Sequence, residues 1–523
     1  MNIKILDCTL RDGGYVNNWN FGFNVISHLN ECLARSGVDF VEIGFLQKCT
    51  YDNNKTLFND ILDFNNILQN KSSDTKYLGM ITYGGYSIDE IPCFDNQFLI
   101  DGFRIIFKKS QINDALEYCK AVQNKSYKIF INPMHTYEYS DKELIELVEK
   151  INDISPYGVS IVDTMGIMKP RQVVRIFDIF DHNLNDDIAI GFHSHNNLQL
   201  SFSNATALLE YAYSSKREII VDSSIRGMGR GAGNLCTELL MQHLNENYDK
   251  NYNLLPILKA IDNSIEKIYK KTPWGYNVPY YLAAINKCHP NYASFLSEKD
   301  SISIDAINSI LLSIPNDKKS GYDKNLIDQL YLEYQSHKIN DDKTIEFLTN
   351  ELRDKQILIL GSGKSILSEQ DKISDFVKNN NVYIISLNFF TDLYNCNLAF
   401  VSNINRYKSA VISNKNYMIT SNILNEIKEY EYILNYGSYI NNSKMPDNSL
   451  LMLIKVLIKC GIKSINIAGC DGFDGDDYFD ATLKNTSKIR DIDDRNEIVS
   501  IVLKELSNSI DIRFITQTKY MVE

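Results

Sequence analysis

Gly191-Phe192-His193-Ser194-His195-Asn196-Asn197 ends an apolar run with two imidazoles at positions i and i+2. Alternation along a strand turns both rings to one face, so a single divalent cation can take both nitrogens. A lone His-x-His is more often a pair of satisfied polar residues at a strand end. The rest of the first half decides between these readings. Short β-rich runs recur at 3–6, 40–43, 77–81, 102–106, 128–131, 158–162, 188–192 and 219–221. Each is followed by a stretch long enough for a crossover helix, such as 143–152 or 201–213, and eight such βα units predict a closed parallel (β/α)8 TIM barrel. Arg11, Asp12, Glu42, Asn132, Asp163, Thr164, His193, His195 and Asp222 all fall at or just past C-terminal strand ends, where such a barrel gathers its active site. Asp12, beyond the first strand, is the obvious carboxylate to join the two histidines.

A chain of 523 residues predicts two or three domains, and 44% hydrophobic with 23% charged residues suits a globular enzyme. The net charge of -12 argues against a general nucleic-acid or anionic-membrane surface. No stretch reads as a membrane span, and the start has no secretion-signal pattern. Ten Cys without a CxxC pair suit a reducing compartment, so a cytoplasmic enzyme acting on small molecules is expected.

Three segments are expected: a barrel over 1–252, a helical extension and connector over 253–352, and a Rossmann-like α/β domain over 353–523, with the boundary near Arg353. The extension carries the aromatic stretch Trp274-Gly275-Tyr276-Asn277-Val278-Pro279-Tyr280-Tyr281 and then Cys288-His289-Pro290. The last segment opens with a strand running into Gly361-Ser362-Gly363-Lys364-Ser365, and further strands are expected at 382–387, 398–401, 417–420 and 464–468. Leu358 stands where a phosphate loop needs its first glycine, and Ile366 where G-x-G-x-x-G needs its third. A glycine turn before a helix can still hold phosphate through backbone N–H groups, which makes Gly361 and Gly363 the candidate site for NAD(P)H or another nucleotide. With the second turn, Ile467-Ala468-Gly469-Cys470-Asp471-Gly472-Phe473, this segment resembles sialyltransferase-like or pterin-pyrophosphokinase-like domains found in carbohydrate biosynthesis.

Ile5-Leu6-Asp7-Cys8-Thr9-Leu10-Arg11-Asp12-Gly13-Gly14, Gly191-Phe192-His193-Ser194-His195-Asn196, and Gly229-Arg230-Gly231-Ala232-Gly233-Asn234-Leu235 with Thr237-Glu238 together resemble the metal-dependent aldolase and lyase superfamily. That superfamily includes 4-hydroxy-2-oxovalerate aldolase, 2-isopropylmalate synthase and 3-hydroxy-3-methylglutaryl-CoA lyase, and the resemblance covers roughly the first 300 residues. It implies Asp12, His193 and His195 as ligands to Mn2+, Mg2+, Co2+ or Zn2+, with Asn234 as a fourth. It also implies that Arg11 stabilises a pyruvate enolate and that the Thr164 hydroxyl holds the substrate carboxylate. The glycines from Gly227 to Gly233 let backbone approach ligand or make a tight turn.

Two departures shape the expected activity. The aldolases place a proton-transferring His three residues after the metal Asp, where this chain has Tyr15. That leaves Tyr15, a metal-bound water, Tyr276 or His289 for the acid/base role. The CoA lyases carry a Cys in the glycine-rich loop, and 228–233 has none, which disfavours CoA-ester cleavage. A metal-dependent pyruvate aldolase acting on an aldehyde is the leading expectation, with a second, nucleotide-dependent step in the last segment. The alternatives are an acetyl-CoA-dependent Claisen synthase, and a catalytically altered barrel fused to a nucleotide-dependent transferase or binding domain. Related barrels commonly dimerise, so a homodimer is expected.

Overall fold

The computed structural model describes the chain apart from residues 70, 300–301, 337, 411–415, 428–429, 441–444, 446, 474–477, 481–491 and 521–523. It divides into two compact units, Met1–Asn291 and Tyr292–Glu523. No helix among the described residues is long and apolar enough to cross a membrane.

Eight parallel strands close on themselves in the first unit: β1 (Asn2–Asp7), β2 (Phe40–Leu46), β3 (Lys76–Thr82), β4 (Gly102–Phe107), β5 (Lys128–Pro133), β6 (Gly158–Asp163), β7 (Ala189–Ser194) and β8 (Glu218–Ser223). Neighbours in the chain are neighbours in the sheet, and β1 closes the ring by pairing Ile3 with Ile219 on β8 and Leu6 with Phe40 on β2. This is the expected (β/α)8 barrel. A two-residue strand, Leu57–Phe58, also lies against β2, past a register shift between Glu42 and Phe45.

Alternation sorts each strand's side chains between two layers. Ile3, Ile5, Val41, Ile43, Ile219 and Val221 pack outward with the helices, whereas Leu6, Phe40, Leu78, Phe130, Ala189 and Ile220 form a small apolar cluster. Two residues further along the same strand faces stand Glu42, Asn132 and Asp222, and His193 lies four beyond Ala189. The apolar layer therefore gives way to a polar one toward the C-terminal ends. The segment after 253, with helices Leu254–Ala260 and Glu266–Lys271, belongs to this unit and buries Ile257, Ala260, Ile265 and Trp274 in its core.

The second unit includes helices Ile304–Ser313, Lys324–Gln335 and Asp342–Glu351 and, among the described residues, seven parallel strands. These are β9 (Gln356–Leu360), β10 (Val382–Leu387), β11 (Leu398–Val401), β12 (Tyr417–Thr420), β13 (Tyr432–Leu434), β14 (Ser464–Ala468) and β15 (Asp511–Phe514), in the order β13-β12-β11-β10-β9-β14-β15. The sheet is open and α/β, and its order reverses beside β9. The boundary expected near Arg353 is corrected to Asn291/Tyr292. Leu348 and Leu352 share a core with Ile357 and Ile359 of β9, Thr344 bonds the Ile433 carbonyl, and Asp341 accepts from the Asn435 N–H and the Tyr439 hydroxyl. The polar stretch read as a connector is thus part of the second fold.

Candidate metal centre

Asp12 follows β1 in a tight turn in which the Arg11 and Asp12 N–H groups both return to the Cys8 carbonyl. His193 lies within β7, and His195 just past its end pairs as an isolated bridge with Asn234 of the glycine-rich loop. One atom each from Asp12, His193 and His195 lie within 4.8 Å of one another, and all three residues are buried. Asn234 joins them by donating from Nδ2 to Asp12 Oδ2 at 2.6 Å. Its own Oδ1 is buried and without a partner, as is His195 Nδ1. A carboxylate, two imidazoles and an amide oxygen, two of them with buried orphaned acceptors, fit a divalent cation such as Mn2+, Mg2+, Co2+ or Zn2+.

A buried ion-pair chain braces this group. Arg11 donates to Asp12 Oδ1 at 2.6 Å and to Glu42 Oε2 at 2.7 Å; Arg104 donates to the same Glu42 oxygen at 3.1 Å and also to Asp222. Asp222 in turn accepts from His193 Nδ1 at 2.9 Å, which leaves Nε2 as that ring's free donor atom. Burial alone would raise the Asp12 carboxyl, but Arg11 and the two imidazoles outweigh it and hold the group below the usual carboxylate range. Burial likewise opposes the Asp222 charge, and Arg104 overcomes it, so that carboxyl is also lowered. Burial pushes His195 down to about 3, so its ring is neutral, as a ligand must be. Arg104 is fully buried in the middle of β4. The sequence reading passed over it, although a lone Arg inside an apolar strand needs buried carboxylate partners.

The other expected residues divide. Thr164 is buried after β6, where its Oγ1 accepts the His135 N–H at 2.9 Å. Tyr15 sits at the mouth, 39% exposed, edge-on to Trp19 at 4.7 Å. Tyr276 is not brought into the cluster; it is 56% exposed on the loop past Trp274. His289 is buried, but its Nε2 faces Arg230 Nη1 at 3.0 Å. An Arg can only donate, so this nitrogen accepts. Burial and the Arg230 charge push the ring down to about 2, which makes it a fixed acceptor rather than a proton carrier. His135, at the end of β5 in a left-handed conformation with φ 55°, was not foreseen; burial and Arg230 push it down to about 4. Arg230 itself was quoted for its glycine neighbours and given no role.

In the second unit Gly361 and Gly363 lie where the sheet order reverses, between β9 and β14. The space expected to hold a phosphate is filled by Asp471. That carboxylate accepts the Ser365 N–H at 2.9 Å and the Ser365 hydroxyl, and a Cβ on Gly363 would stand 2.4 Å from it. The helix that starts there, Ser365–Ser368, is a single turn, and its N-terminal donor is spent on the chain's own anion. This corrects the reading of Gly361 and Gly363 as a nucleotide phosphate site.

Residues 105–263 match the HMGL-like family model. The chain is 25% identical over 278 residues to 4-hydroxy-2-oxovalerate aldolase 2 of Salinispora arenicola, covering 52% of this chain and 77% of that protein. It is also 25% identical over 235 residues to a homocitrate synthase of Pyrococcus horikoshii, covering 44% and 62%. The carboxyl transferase domain of Rhizobium etli pyruvate carboxylase with pyruvate shares the fold, with a TM-score of 0.51 at 13% identity over 66% of this chain and 64% of that one. The first unit is thus similar to HMGL-like barrels, and its relatives by sequence are lyases and synthases, which supports an enzyme.

Proposed function

We propose that the barrel is a divalent-metal-dependent aldolase that forms or cleaves a 4-hydroxy-2-oxo acid from pyruvate, or another 2-oxo acid, and an aldehyde. The observation that carries this reading is the buried donor set of Asp12, His193, His195 and Asn234, with its two orphaned acceptors. A cation held there by Asp12, His193, His195 and Asn234 would supply a Lewis acid to stabilise enolate charge on a 2-oxo acid.

The chain's own residues do the rest. Arg11 is locked by Asp12 and Glu42, so its permanent charge stands beside the donor set without reorganisation. Thr164, fixed by the His135 N–H, keeps its own O–H to donate to the substrate carboxylate. Tyr15, three residues after Asp12 and open to solvent at the mouth, passes the proton between C3 and water. Tyr276 stands exposed on the loop past Trp274, and His289 is held by its bond to Arg230, which leaves Tyr15 for this role.

Exchange of the C3 protons of pyruvate with deuterated water, followed by NMR, tests this without knowledge of the aldehyde. The wild type is expected to exchange when loaded with Mn2+ and to stop when stripped with chelator. Tyr15→Phe should slow exchange by on the order of a hundredfold while Mn2+ affinity stays the same. Metal-independent exchange, or none, refutes the reading. The homocitrate synthase among the relatives favours one second reading, condensation of a 2-oxo acid with acetyl-CoA. Release of free thiol from acetyl-CoA in the same preparation distinguishes it.

A further inference from the structure

The guanidinium groups of Arg11, Arg104 and Arg230, buried or half-buried in the barrel, are not equivalent. Arg11 and Arg104 are each matched by two carboxylates. Arg230 forms no ion pair among the described residues. Its Nη1 is spent on His289, its guanidinium lies 5.3 Å from the centre of the Tyr15 ring, and its Nε is buried with no partner. An uncompensated cation with an unmade hydrogen bond is costly to keep in a protein unless something else supplies the counter-charge. The surrounding rings do not: His289 and His135 are both held neutral, through burial and the Arg230 charge itself.

Arg230 is also built into place. Asn197 pins its loop by accepting the Ala232 N–H at 2.8 Å, and the Asn234 N–H returns to the Gly227 carbonyl at 2.9 Å. A Cβ on Gly231 would meet Asn197 Oδ1 at 2.7 Å, so the residue after Arg230 must lack one. The guanidinium thus projects from the same rigid loop that delivers Asn234, four residues on, toward Tyr15 rather than toward the Asp12 carboxylate that Arg11 already occupies.

Resting on the aldolase reading, we propose that Arg230, with Tyr15 and His289 around it, is a subsite for a compact anionic group on the acceptor aldehyde, a carboxylate or a phosphate. The carboxylate of the 2-oxo acid is served by Thr164 and the donor set, which leaves Arg230 for the far end of the second substrate. A planar fork whose Nε has no partner suits two oxygens of one anion. His289 is a positioning residue, fixing the fork by its accepting nitrogen.

The test pairs pyruvate with succinic semialdehyde, glyceraldehyde 3-phosphate and butanal, using the Mn2+-loaded full chain. For the wild type, kcat/KM should favour at least one anionic aldehyde over butanal by roughly tenfold or more, and which one identifies the anion. Arg230→Met should bring that ratio to near one, and Arg230→Lys should keep part of it. Calorimetry with inorganic phosphate and with succinate supplies a readout free of turnover: at least one should bind the wild type and lose that binding in Arg230→Met. Should wild type show no pyruvate exchange, the aldolase reading falls, yet Arg230-dependent anion binding still supports the subsite. A preference for butanal, an unchanged ratio in Arg230→Met, or anion binding that is absent or indifferent to Arg230 overturns it.

Discussion

Gly229→Ala isolates the contribution of Asn234 without touching a donor atom. Gly229 lies outside the left-handed region, so an added methyl group meets no backbone strain. Its Cβ would stand 2.6 Å from Asn234 Nδ2 and 2.8 Å from Cγ, where ordinary contact begins at 3.4 Å, so the amide must retreat by about 0.8 Å. The Asn234 to Asp12 hydrogen bond, now 2.6 Å, would stretch toward 3.4 Å and be lost. A bond to a charged partner contributes about 1.5 to 3 kcal/mol, and the same retreat withdraws Oδ1 from the donor set. Mn2+ affinity should therefore weaken by about 10- to 100-fold, while the melting temperature of the metal-free protein moves by no more than a few degrees. Competition against a fluorescent chelator measures the first, and scanning fluorimetry in chelator the second. Unchanged Mn2+ affinity in a folded variant would remove Asn234 from the metal centre and with it the reason for the close approach at Gly229.

Three further perturbations act on the surrounding shell. Asp222→Asn takes the carboxylate from His193 and from Arg104, so Mn2+ affinity should fall by roughly 10- to 100-fold in the same competition assay, with some loss of metal-free stability because Arg104 keeps only Glu42. Arg11→Lys should keep Mn2+ affinity within a few-fold and slow pyruvate exchange by about a hundredfold, since an ammonium cannot span Asp12 and Glu42 as the fork does; equal rates would make Arg11 a brace alone. Asp7 is fully buried and its carboxyl is pushed up to about 6 by desolvation, so folding takes up a proton between the unfolded value near 4 and that value. Its contribution to stability then falls as pH rises from 4 to 6, and the melting temperature of wild type relative to Asp7→Asn should fall across that range; a difference flat with pH refutes the shift.

The eight barrel strands are legible because each buried strand is a run of β-branched and aromatic residues between turn signals, and Asp12, His193 and His195 because their spacing fixes a common end of the barrel. Leu57–Phe58 is too short to carry a period. The boundary at Asn291/Tyr292 is illegible for a different reason: the helix Asp342–Glu351 turns Leu348 toward residues such as Ile357 and Ile359 that come later in the chain, and a local window sees only a polar stretch. Arg104 and Arg230 were missed because one sits in a strand read for its apolar neighbours and the other in a loop read for its glycines. Gly361 and Gly363 misled in the opposite sense. A glycine turn before a helix signals room for an anion, but a reading confined to that turn cannot see that Asp471, more than 100 residues away, supplies the anion from within.

Formal charge ties the centre, the reaction and the subsite together. Asp12, Glu42 and Asp222 set three negative charges against the two positive charges of Arg11 and Arg104, all buried, which leaves the inner ring one negative charge in excess. A buried excess of that kind is costly, and a divalent cation reverses it to one positive charge, which the carboxylate of a bound 2-oxo acid then neutralises. The inner ring is thus balanced once metal and first substrate are in place, with nothing left over for Arg230. Arg230 makes no ion pair within that ring, although its charge reaches Asp12, and it can take a second anion, one that arrives with the other substrate. Before the C3 proton leaves, a neutral acceptor would leave the mouth one positive charge in excess, whereas an anionic acceptor closes the count. The order follows as well: with the inner ring negative, anions are repelled from the empty centre, so Mn2+ loading should tighten succinate or phosphate binding at Arg230, and anion affinity equal in metal-free and Mn2+-loaded protein would show that the two charge sets do not communicate.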